Sequence, residues 1–346
     1  MTARLRVLDA GDAKDRAEWE RVWRRLPKRE VSARPAYVSL FGQDGDRALA
    51  ALFEDEGEAG ILYPFLLRRI SAGQTFTDIT SAYGYGGPAH WGQQRPSETA
   101  QRFWPAFDEW ARSENVVSEF IRFDLFEGSH DWYPGEVVER QPNVVVRLEL
   151  DEPALWAGFE HKVRKNVNRA RRSGVEVVVD AEGAHLDSFL RVYRATMDRR
   201  AAAPRYYFTR DFFDRLRSDL DGHWAYFHAY LSGRIVSTEL VLVSQDVVYS
   251  FLGGTLEEAY PYRPNDLLKY EIIRWAREKG KRAFVLGGGV SAGDGIERYK
   301  RAFAPGDTET FRIGRRILNV EAYDRLTADR EGASSIDPDF FPAYRA

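Results

Sequence analysis

A glycine-rich segment late in the chain carries the residues that look most like a catalytic motif. Gly289-Val290-Ser291-Ala292-Gly293 fits the G-x-S-x-G pattern of a nucleophile elbow and lies between a predicted strand and a predicted helix. In that fold the serine precedes both the acid and the histidine, whereas the histidines here all precede Ser291: His90, His130, His161, His185, His223 and His228. A serine-hydrolase triad of this order is therefore excluded.

The same segment also has an interpretation as a glycine loop. Residues Gly287 to Ala292 fit G-x-G-x-x-A, but only one strand follows, which is too few for a dinucleotide-binding βαβ sheet. Glycines let the backbone approach another group closely. We expect the loop to approach either a ligand, with Gly288 and Gly289 in contact with it, or a neighbouring strand.

A predicted helix in the middle of the chain, Glu152–Arg172, has one apolar face and one basic stripe. The apolar face repeats every three or four residues through Trp156, Phe159, Val163, Val167 and Ala170. The basic stripe consists of Lys162, Lys165, Arg169 and Arg172. Because Asp and Glu are absent from His161 through Gly174, the stripe predicts binding of an anion, such as nucleic acid or a diphosphate. A solvated helix face is the alternative.

A lysine beside two aromatic residues follows the glycine loop. Tyr299 and Phe303 fall on one face of a predicted helix, and Lys300 adjoins them. An ammonium group at this place could stabilise a developing oxyanion or bind a phosphate. The alternative is a surface lysine without a catalytic role.

Composition removes several classes of function. The 346 residues include no Cys, so disulfides, zinc–thiolate sites, iron–sulfur clusters and cysteine nucleophiles are excluded. The histidines lack the spacing of metal ligands, and no P-loop sequence occurs. Without a long apolar run or a signal-peptide core, we expect a cytoplasmic protein. A net charge of −3 argues against bulk nucleic-acid binding but permits a local basic face.

The pattern of apolar residues predicts a mixed α/β protein with two similar halves. Trp110-Ala111-Arg112 ends a predicted helix before strand Glu119–Leu125. Trp275-Ala276-Arg277 likewise ends a helix before strand Arg282–Leu286. Both helices follow a predicted strand hairpin and a loop containing Tyr, Pro or Gly, which indicates duplicated domains.

The boundaries of these domains follow from the same pattern. We place the first domain at residues 1–145 and the second, catalytic domain at residues 146–328. Strand Thr308–Ile313 is predicted to complete the second domain. Residues 329–346 are expected to form a loosely docked tail.

Several motifs of the second half occur together in one known family. They are the hairpin Ile235–Leu252, the helix that starts Asn265-Asp266-Leu267-Leu268 and ends Trp275-Ala276-Arg277-Glu278-Lys279-Gly280, the loop Leu286-Gly287-Gly288, and the cluster Tyr299-Lys300-x-x-Phe303. Together with Arg172-Ser173-Gly174-Val175 and Tyr83-Gly84-Tyr85-Gly86-Gly87-Pro88, they resemble the FemABX peptidyltransferases over most of residues 35–315. The resemblance implies two GNAT-like acyltransferase domains, each a mixed, mostly antiparallel sheet flanked by helices.

The family implies transfer of an activated acyl group, usually an aminoacyl ester on tRNA, to a primary amine of a peptidoglycan precursor. Neither a covalent enzyme intermediate, a cofactor nor a metal is implied; aminoacyl-tRNA is a co-substrate, and the acceptor is a nucleotide-sugar or lipid-linked peptide precursor. Positioning and oxyanion stabilisation carry the rate of such a reaction. By resemblance, Lys300 is the functional lysine, with Tyr299 beside it.

The resemblance also implies where the substrates bind. It assigns tRNA or phosphate to the basic stripe, and the precursor's diphosphate to the region Thr196–Tyr207. The residues implied in substrate binding are Tyr83, Tyr85, Arg199, Arg205, Tyr207, Tyr249, Gly288 and Gly289.

Departures from the family leave the donor and the acceptor open. The long helical hairpin that some members insert in the second domain has no room here. The acyl-CoA fingerprint before the central helix is absent, and Tyr260-Pro261-Tyr262-Arg263-Pro264 stands in its place. Because the CoA pyrophosphate ordinarily binds at glycine-exposed amides, this replacement argues against a CoA donor. An acyl-CoA-dependent transferase acting on an amino sugar or small amine is the second hypothesis. A non-catalytic protein that binds anionic glycan precursors or tRNA is the third.

Substitution of Ser291 tests the exclusion of a hydrolase. We expect Ser291→Ala to keep most of the activity, because no downstream histidine can activate the hydroxyl. Turnover of the variant measures this. Abolished turnover together with labelling of Ser291 by a serine-directed phosphonate would contradict the exclusion.

Overall fold

Two β-sheets organise the chain, each at the centre of one unit. Residues 1–140 and 310–346 form the first unit, and residues 141–309 form the second. The computed structural model describes residues 4–55, 59–70, 75–289, 293–331 and 339–346. Within these ranges no helix combines the length and the apolar character that a membrane span requires.

The first unit begins as an antiparallel meander covered by a long helix. Its elements up to the middle of the chain are β1 (Arg4–Asp9), α1 (Ala13–Trp23), α2 (Pro35–Leu40), β2 (Arg47–Asp55), β3 (Ala59–Arg69), β4 (Thr77–Thr80), β5 (Ala89–Trp91), α3 (Pro96–Ser113), β6 (Val116–Arg122) and β7 (Glu136–Glu139). Pro96 occupies the first turn of α3, where its fixed φ favours a helix start. Buried residues of α3 recur every three or four positions and pack on the sheet: Ala100, Phe103, Trp104, Phe107 and Ala111.

The second unit repeats this arrangement with more helices. Its elements are β8 (Asn143–Arg147), α4 (Glu152–Gly158), α5 (His161–Arg172), β9 (Glu176–Asp180), α6 (Leu186–Arg199), α7 (Arg210–Asp219), β10 (Trp224–Leu231), β11 (Arg234–Val243), β12 (Val247–Thr255), α8 (Pro264–Glu278), β13 (Ala283–Gly287), α9 (Gly295–Arg301) and β14 (Thr308–Glu309). α5 and α8 pack on one face of the sheet, where Val167, Leu268 and Phe284 belong to one buried apolar cluster.

The two sheets share one topology once β15 (Arg312–Ile317), which α10 (Val320–Glu331) follows, is included in the first. The first sheet has the order β1-β2-β3-β4-β6-β15-β7, with β5 beside β3, and the second has the order β9-β10-β11-β12-β13-β8-β14. Each contains one parallel pair, β4 with β6 and β12 with β13. The predicted duplication of mixed, mostly antiparallel sheets flanked by helices is confirmed.

Each sheet takes an inner strand from a distant part of the chain. β15 lies between β6 and β7, with Ile313 opposite both Arg122 and Val138. β8, which follows β7 directly in sequence, pairs instead with β13 and β14. The predicted second domain of residues 146–328 therefore differs from the structure, because residues 310–328 belong to the first unit. The predicted strand Thr308–Ile313 is divided between β14 and β15, which lie in different sheets.

The last residues of the chain pack on the first unit rather than forming a loose tail. Tyr344 is buried, and its hydroxyl hydrogen-bonds Ser118 at 2.6 Å and Asp78 at 3.2 Å. The Arg345 guanidinium forms an ion pair with the same buried carboxylate of Asp78, at 2.5 Å. These contacts attach residues 343–346 to the strands β4 and β6.

The predicted helix Glu152–Arg172 is two helices with a break between them. α4 ends at Gly158, and Phe159 has an extended backbone, with ψ of 147°. Glycine favours a helix end because it loses much conformational freedom in a helix. Phe159 then buries its ring against Phe303, with the ring centroids 5.8 Å apart. α5 ends as predicted at Gly174, which has a left-handed φ of +75°.

Truncation tests the dependence of the first sheet on β15. A chain ending at Glu309 removes this strand, so β6 loses the partner on one side and β7 loses its attachment. We expect amide exchange in β6 to accelerate more than about tenfold in hydrogen-exchange mass spectrometry. The matched control ends at Glu331 and keeps β15 and α10. Equal protection of β6 in the two truncated chains would contradict this role.

Candidate functional site

The parallel strands β12 and β13 separate after a short stretch of pairing. They pair at Val247↔Ala283, Val248↔Phe284 and Tyr249↔Val285, although β12 continues to Thr255 and β13 to Gly287. A strand edge left without a neighbouring strand can hydrogen-bond an extended ligand. We call the separation beyond the last of these pairs the β12–β13 gap.

The glycine loop and Lys300 lie at the β13 side of this gap. Gly287 has a φ of +82°, a conformation that favours glycine, and a Cβ there would lie only 3.3 Å from Lys300 Nζ. Lys300 Nζ donates a hydrogen bond of 2.6 Å to the carbonyl oxygen of Gly288. The loop therefore holds the predicted catalytic ammonium, while Ser291 lies outside the described residues.

The environment of Lys300 makes its side chain a weaker base than a solvated lysine. The pKa of Lys300 is lowered to about 8, first by burial and then by repulsion from the Lys269 ammonium, and attraction from Glu239 and Asp294 opposes this shift in part. Lys300 is half-buried and sits on α9, whose first turn is capped by the Asp294 carboxylate. Near neutral pH the group is mostly a positive charge, but one that readily gives up its proton.

Tyr299 faces the first turn of α8. Its hydroxyl accepts a hydrogen bond of 2.8 Å from Asn265 Nδ2, and burial raises its pKa well above that of a free tyrosine. The next residue, Asp266, is buried and accepts 3.0 Å from Asn166 Nδ2 of α5. Burial also raises the pKa of this carboxyl group. Tyr299, the second residue predicted to be catalytic, thus belongs to a polar cluster at the start of α8.

A buried ion pair beneath α8 is absent from the sequence-based prediction. Lys269 donates to Glu239 of β11, and to Ser250 Oγ of β12 at 2.9 Å. Lys269 and Glu239 are only 6% and 3% exposed. The signal was available: Glu239 interrupts an apolar strand, and Lys269 interrupts an apolar run of the helix. A charge inside an apolar pattern indicates a paired or functional group.

Exposed tyrosines and arginines surround the loop before α8. The guanidinium of Arg199 lies over the Tyr260 ring, 5.2 Å from its centroid. Tyr207 and Tyr262 are about two-fifths exposed, at 40% and 41%, and Arg205 is exposed as well. This combination of stacking rings and cations suits a phosphate-bearing or ringed ligand. We refer to Arg199, Arg205, Tyr207, Tyr260 and Tyr262 as the tyrosine–arginine surface.

The basic stripe of α5 is exposed to solvent, where an anion could reach it. Lys162, Lys165, Arg169 and Arg172 are all exposed, whereas Val163, Val167 and Ala170 pack in the core. Lys162 pairs with Glu160 at 3.3 Å. In the described part of the chain no ion pair involves the other three residues of the stripe, so three positive charges remain available to an anion.

Of the remaining predicted residues, Gly288 and Gly289 belong to the glycine loop beside Lys300, whereas the three tyrosines lie elsewhere. Tyr249 is buried and alternates along β12 with Ser250, so it lies on the sheet face opposite to Lys269. Tyr83 and Tyr85 belong to the first unit, where the carbonyl of Tyr83 accepts 2.7 Å from the Tyr37 hydroxyl. Gly288 contacts Lys300 directly through its carbonyl. Gly289 packs so close to Asp294 that a Cβ would lie 2.6 Å from Oδ1.

The first unit has no equivalent gap, because the chain fills it. After the parallel pairing of β4 with β6, Ser81 N donates 3.1 Å to Phe120 O, and Asp124 N donates 2.8 Å to Gly86 O. The segment that contains Tyr83 and Tyr85 thus continues the sheet beside β6. In the second unit, no backbone hydrogen bond between described residues continues the β12–β13 pairing in this way, and Lys300 lies beside the open edge.

The described residues contain no cluster of three or more His, Asp or Glu side chains that could hold a metal ion. The groups at the gap are the Lys300 ammonium, backbone amides, and the carboxyl and hydroxyl groups at the start of α8. Fixed donors of this kind stabilise negative charge that develops on a carbonyl oxygen during acyl transfer.

Known proteins resemble this arrangement. Residues 158–301 match the family described as acetyltransferase (GNAT) domain. The structure of FemX superposes with a TM-score of 0.70 at 15% identity, covering 90% of this chain and 98% of that one. The C-terminal domain of a putative lysylphosphatidylglycerol synthetase from Agrobacterium fabrum gives 0.57 at 16% identity, covering 90% and 93%. A tandem GNAT protein from the clavulanic acid biosynthesis pathway gives 0.53 at 10% identity, covering 91% and 99%.

No curated protein matches the chain by sequence. The agreement in structure extends over both units, and the GNAT match falls within the second unit, which carries the β12–β13 gap. The similarity to FemABX proteins inferred from sequence motifs is confirmed at the level of the fold: the chain has a FemX-like, GNAT-type acyltransferase fold of two similar domains.

Proposed function

We propose that this protein is an N-acyltransferase that moves an aminoacyl group from aminoacyl-tRNA to a primary amine of a peptidoglycan precursor or related metabolite. The observation that carries the proposal is the Lys300 ammonium, held by Gly288 O at the edge of the β12–β13 gap. The gap can take the extended donor end, and Lys300 then lies where charge develops on the acyl oxygen.

The reaction needs no covalent bond to the enzyme. The neutral acceptor amine attacks the ester carbon of the donor, and the carbonyl oxygen becomes an oxyanion that Lys300 stabilises. The attack forms the C–N bond. The tetrahedral intermediate then restores the carbonyl C=O bond and breaks the ester C–O bond. One amine proton leaves, and the ribose oxygen of the departing tRNA takes up a proton. The enzyme accelerates this sequence by positioning and by electrostatic stabilisation.

The start of α8 favours an RNA donor over CoA. A GNAT pyrophosphate site relies on exposed backbone amides at a helix start. Here Pro264 supplies no amide, Arg263 has a left-handed φ of +59°, and the buried Asp266 puts a carboxyl group in the first turn. In contrast, the unpaired cations of α5 suit the regularly spaced phosphates of RNA. The proposed donor implies a cytoplasmic reaction.

The tyrosine–arginine surface is the proposed binding site for the acceptor. Arg199 and Arg205 can pair with phosphate oxygens, and Tyr207 can pack on a sugar or base ring. A nucleotide-sugar or lipid-linked precursor carries both features. Because the chain resembles a domain of a putative lysylphosphatidylglycerol synthetase, lipid-linked acceptors remain among the candidates.

Acyl-CoA is the second candidate donor, because the family match of residues 158–301 is to an acetyltransferase domain. Ligand-induced stabilisation separates the hypotheses, since it follows RT ln(1 + [L]/Kd) and reaches about 2.7 kcal/mol at a hundredfold excess over Kd. Melting curves with charged tRNA, acetyl-CoA and a UDP-sugar peptide compare them directly. Stabilisation by acetyl-CoA alone would contradict the proposed donor. Binding of tRNA or precursor without turnover of any pair would favour a non-catalytic protein.

Lys300→Met tests the proposed catalytic group. The change keeps the apolar stem and removes the charge, so we expect near-wild-type melting and turnover lower by at least about a hundredfold, in line with loss of one oxyanion donor. Lys279→Met, at the exposed end of α8, is the matched control and should retain full turnover. Unchanged turnover of Lys300→Met with a working donor and acceptor would show that Lys300 is only a surface lysine.

Removing two charges from α5 tests the RNA interface. We expect Lys165→Ala with Arg169→Ala to weaken tRNA binding and to reduce the slope of log K against log salt by about two, one for each lost phosphate contact. Filter binding across a salt series measures both. The control changes Arg16 and Arg112, exposed residues of the first unit, and leaves the net charge the same as in the test variant. An equal slope in both variants would indicate that the basic stripe of α5 is only a solvated helix face and does not bind RNA.

A further inference from the structure

The ion pair between Glu239 and Lys269 is an unusual feature of the second unit. Both side chains are almost fully buried on the sheet face that α8 covers. Lys269 Nζ also lies 5.5 Å from the ring centroid of Phe284, so apolar groups surround the charges. Removing two charges from water costs free energy that their attraction often fails to recover, and apolar replacements are frequently as stable. Stability is therefore a weak reason for the pair.

The position of the pair supplies a better reason. Lys269 bridges β11 and β12 through Glu239 and Ser250, and Ser250 is the first residue of β12 beyond the parallel pairing with β13. The ammonium thus lies under the origin of the β12–β13 gap. Lys300 Nζ lies beside Gly287, two residues beyond Val285, which is the last residue of β13 in that pairing. Both ammonium groups therefore lie at the same end of the paired strands, and the charges of Lys269 and Glu239 act on Lys300.

The first unit also contains a buried carboxylate, at a place where no cation has to be kept free for a substrate. Glu119 accepts hydrogen bonds from the hydroxyls of Tyr63 at 2.7 Å and Tyr133 at 3.0 Å, and from Arg316 Nε at 3.0 Å. These donors use both carboxylate oxygens, and the chain itself fills the equivalent gap. In the second unit, two lysines lie within the field of one glutamate, and only one of them is hydrogen-bonded to it.

We propose that Lys269 is a positioning residue: by occupying Glu239 it keeps Lys300 out of a buried ion pair, and so leaves the Lys300 ammonium at the glycine loop for the acyl oxygen of the substrate. The proposal rests on the proposed function of Lys300. Without Lys269, the carboxylate of Glu239 would be uncompensated, and the ammonium of Lys300, which already interacts with it electrostatically, could neutralise it. A buried charge without a partner is strongly unfavourable, so Lys300 would be drawn inward.

The charged groups that face Lys300 are few. From α8 and β11 they are Lys269 and Glu239, and from the α9 cap it is Asp294. On its own helix, Glu297 pairs with Arg301 at 2.7 Å, and the Arg298 side chain donates to Gly293 O. β8 contributes the neutral Asn143, whose Oδ1 lies near the loop. Substitution at Lys269 or Glu239 therefore changes a dominant charge near Lys300 without altering α9.

The first measurement is the pKa of Lys300 in the full chain, determined without any substrate. Competitive acetylation by acetic anhydride across a pH series reports the pKa of each lysine amine. Cleavage after glutamate releases residues 298–309, in which Lys300 is the only lysine, so mass spectrometry can follow it alone. In the wild type we expect a value of about 8.

Lys269→Met is expected to raise this pKa toward 10.5, the ordinary value for lysine, because repulsion is lost and Glu239 is left to attract Lys300. Turnover should fall at least about tenfold as Lys300 is drawn into the pair. Lys269→Arg keeps the positive charge and should leave the pKa of Lys300 near 8. If Lys269→Met does not fold, Lys269→Gln, which is neutral but can still donate to Glu239 and Ser250, takes its place.

The double variant Glu239→Gln with Lys269→Met separates positioning from packing. It removes both charges, so the Glu239 carboxylate can no longer capture Lys300, and burial, the largest cause of the shift, should keep its pKa below that of a solvated lysine. We expect turnover to recover to within about threefold of the wild type, a coupling that a purely structural role would not produce. Equal pKa values and equal turnover in the single and double variants would overturn the proposal.

Failure of this proposal and failure of the proposed function are distinguishable. The acetylation experiment needs neither donor nor acceptor. If the pKa of Lys300 shifts as described but Lys300→Met keeps full turnover, the coupling of the two lysines stands and the catalytic role of Lys300 is wrong. If Lys300→Met abolishes turnover while Lys269→Met leaves the pKa of Lys300 unchanged, the catalytic role stands and the positioning role of Lys269 is wrong.

Discussion

The short parallel pairing of β12 with β13 is the constraint on which the site depends. Three residue pairs join the strands before they separate, and β12 then continues beside β11 alone, with a bulge between Leu240 and Val241. A bulge increases the local twist and directs a strand away from its neighbour. Had the pairing continued, the edge would be closed, as it is in the first unit. The gap, the glycine loop and the placement of Lys300 all follow from this early separation.

The second unit combines apolar packing with a small number of buried charges at this gap. Val167 of α5, Leu268 of α8 and Phe284 of β13 supply the continuous core that fixes the helices on the sheet. Within it, Glu239 and Lys269 are hydrogen-bonded to each other, and Asp266 to Asn166. Polar groups held in this way keep their orientation, since movement would leave a buried group without a partner. Such rigidity is what electrostatic catalysis requires, because donors that are already oriented need no reorganisation during the reaction.

The sequence predicts the local features of this protein well and the long-range ones poorly. Lys300 and the basic stripe were singled out as candidates because each follows from spacing within one element. Lys269 was missed because its partner Glu239 lies on another element, and only their packing explains either charge. The structure also places Tyr249 on the sheet face opposite to Lys269, because side chains alternate along β12. The helix break at Gly158 escaped the periodicity because the apolar face continues through Phe159 into the core.

The exchange of β8 and β15 between the two sheets could not be predicted from the sequence, because it also depends on contacts between distant parts of the chain. The residues of β15 do not indicate that this strand pairs with β6 rather than joining β14 in the second sheet. Only two residues separate β14 from β15. Similar alternation of apolar residues suits either sheet, and register is decided by the neighbours that a strand finds. The predicted domain boundaries therefore followed the order of the chain, whereas the sheets do not.

That exchange has a consequence for how the protein is made. β7 leaves the ribosome early, but the strand that joins it to β6 is completed only about 180 residues later. At synthesis rates of about 5–20 residues per second, the nascent first sheet exposes an open edge for on the order of ten to forty seconds. Exposed strand edges recruit other strands, so this interval is when the growing polypeptide is most open to mispairing with a neighbouring nascent chain. Codon choice and chaperone access between β7 and β15 are therefore expected to govern the yield of folded protein more than the stability of either finished sheet.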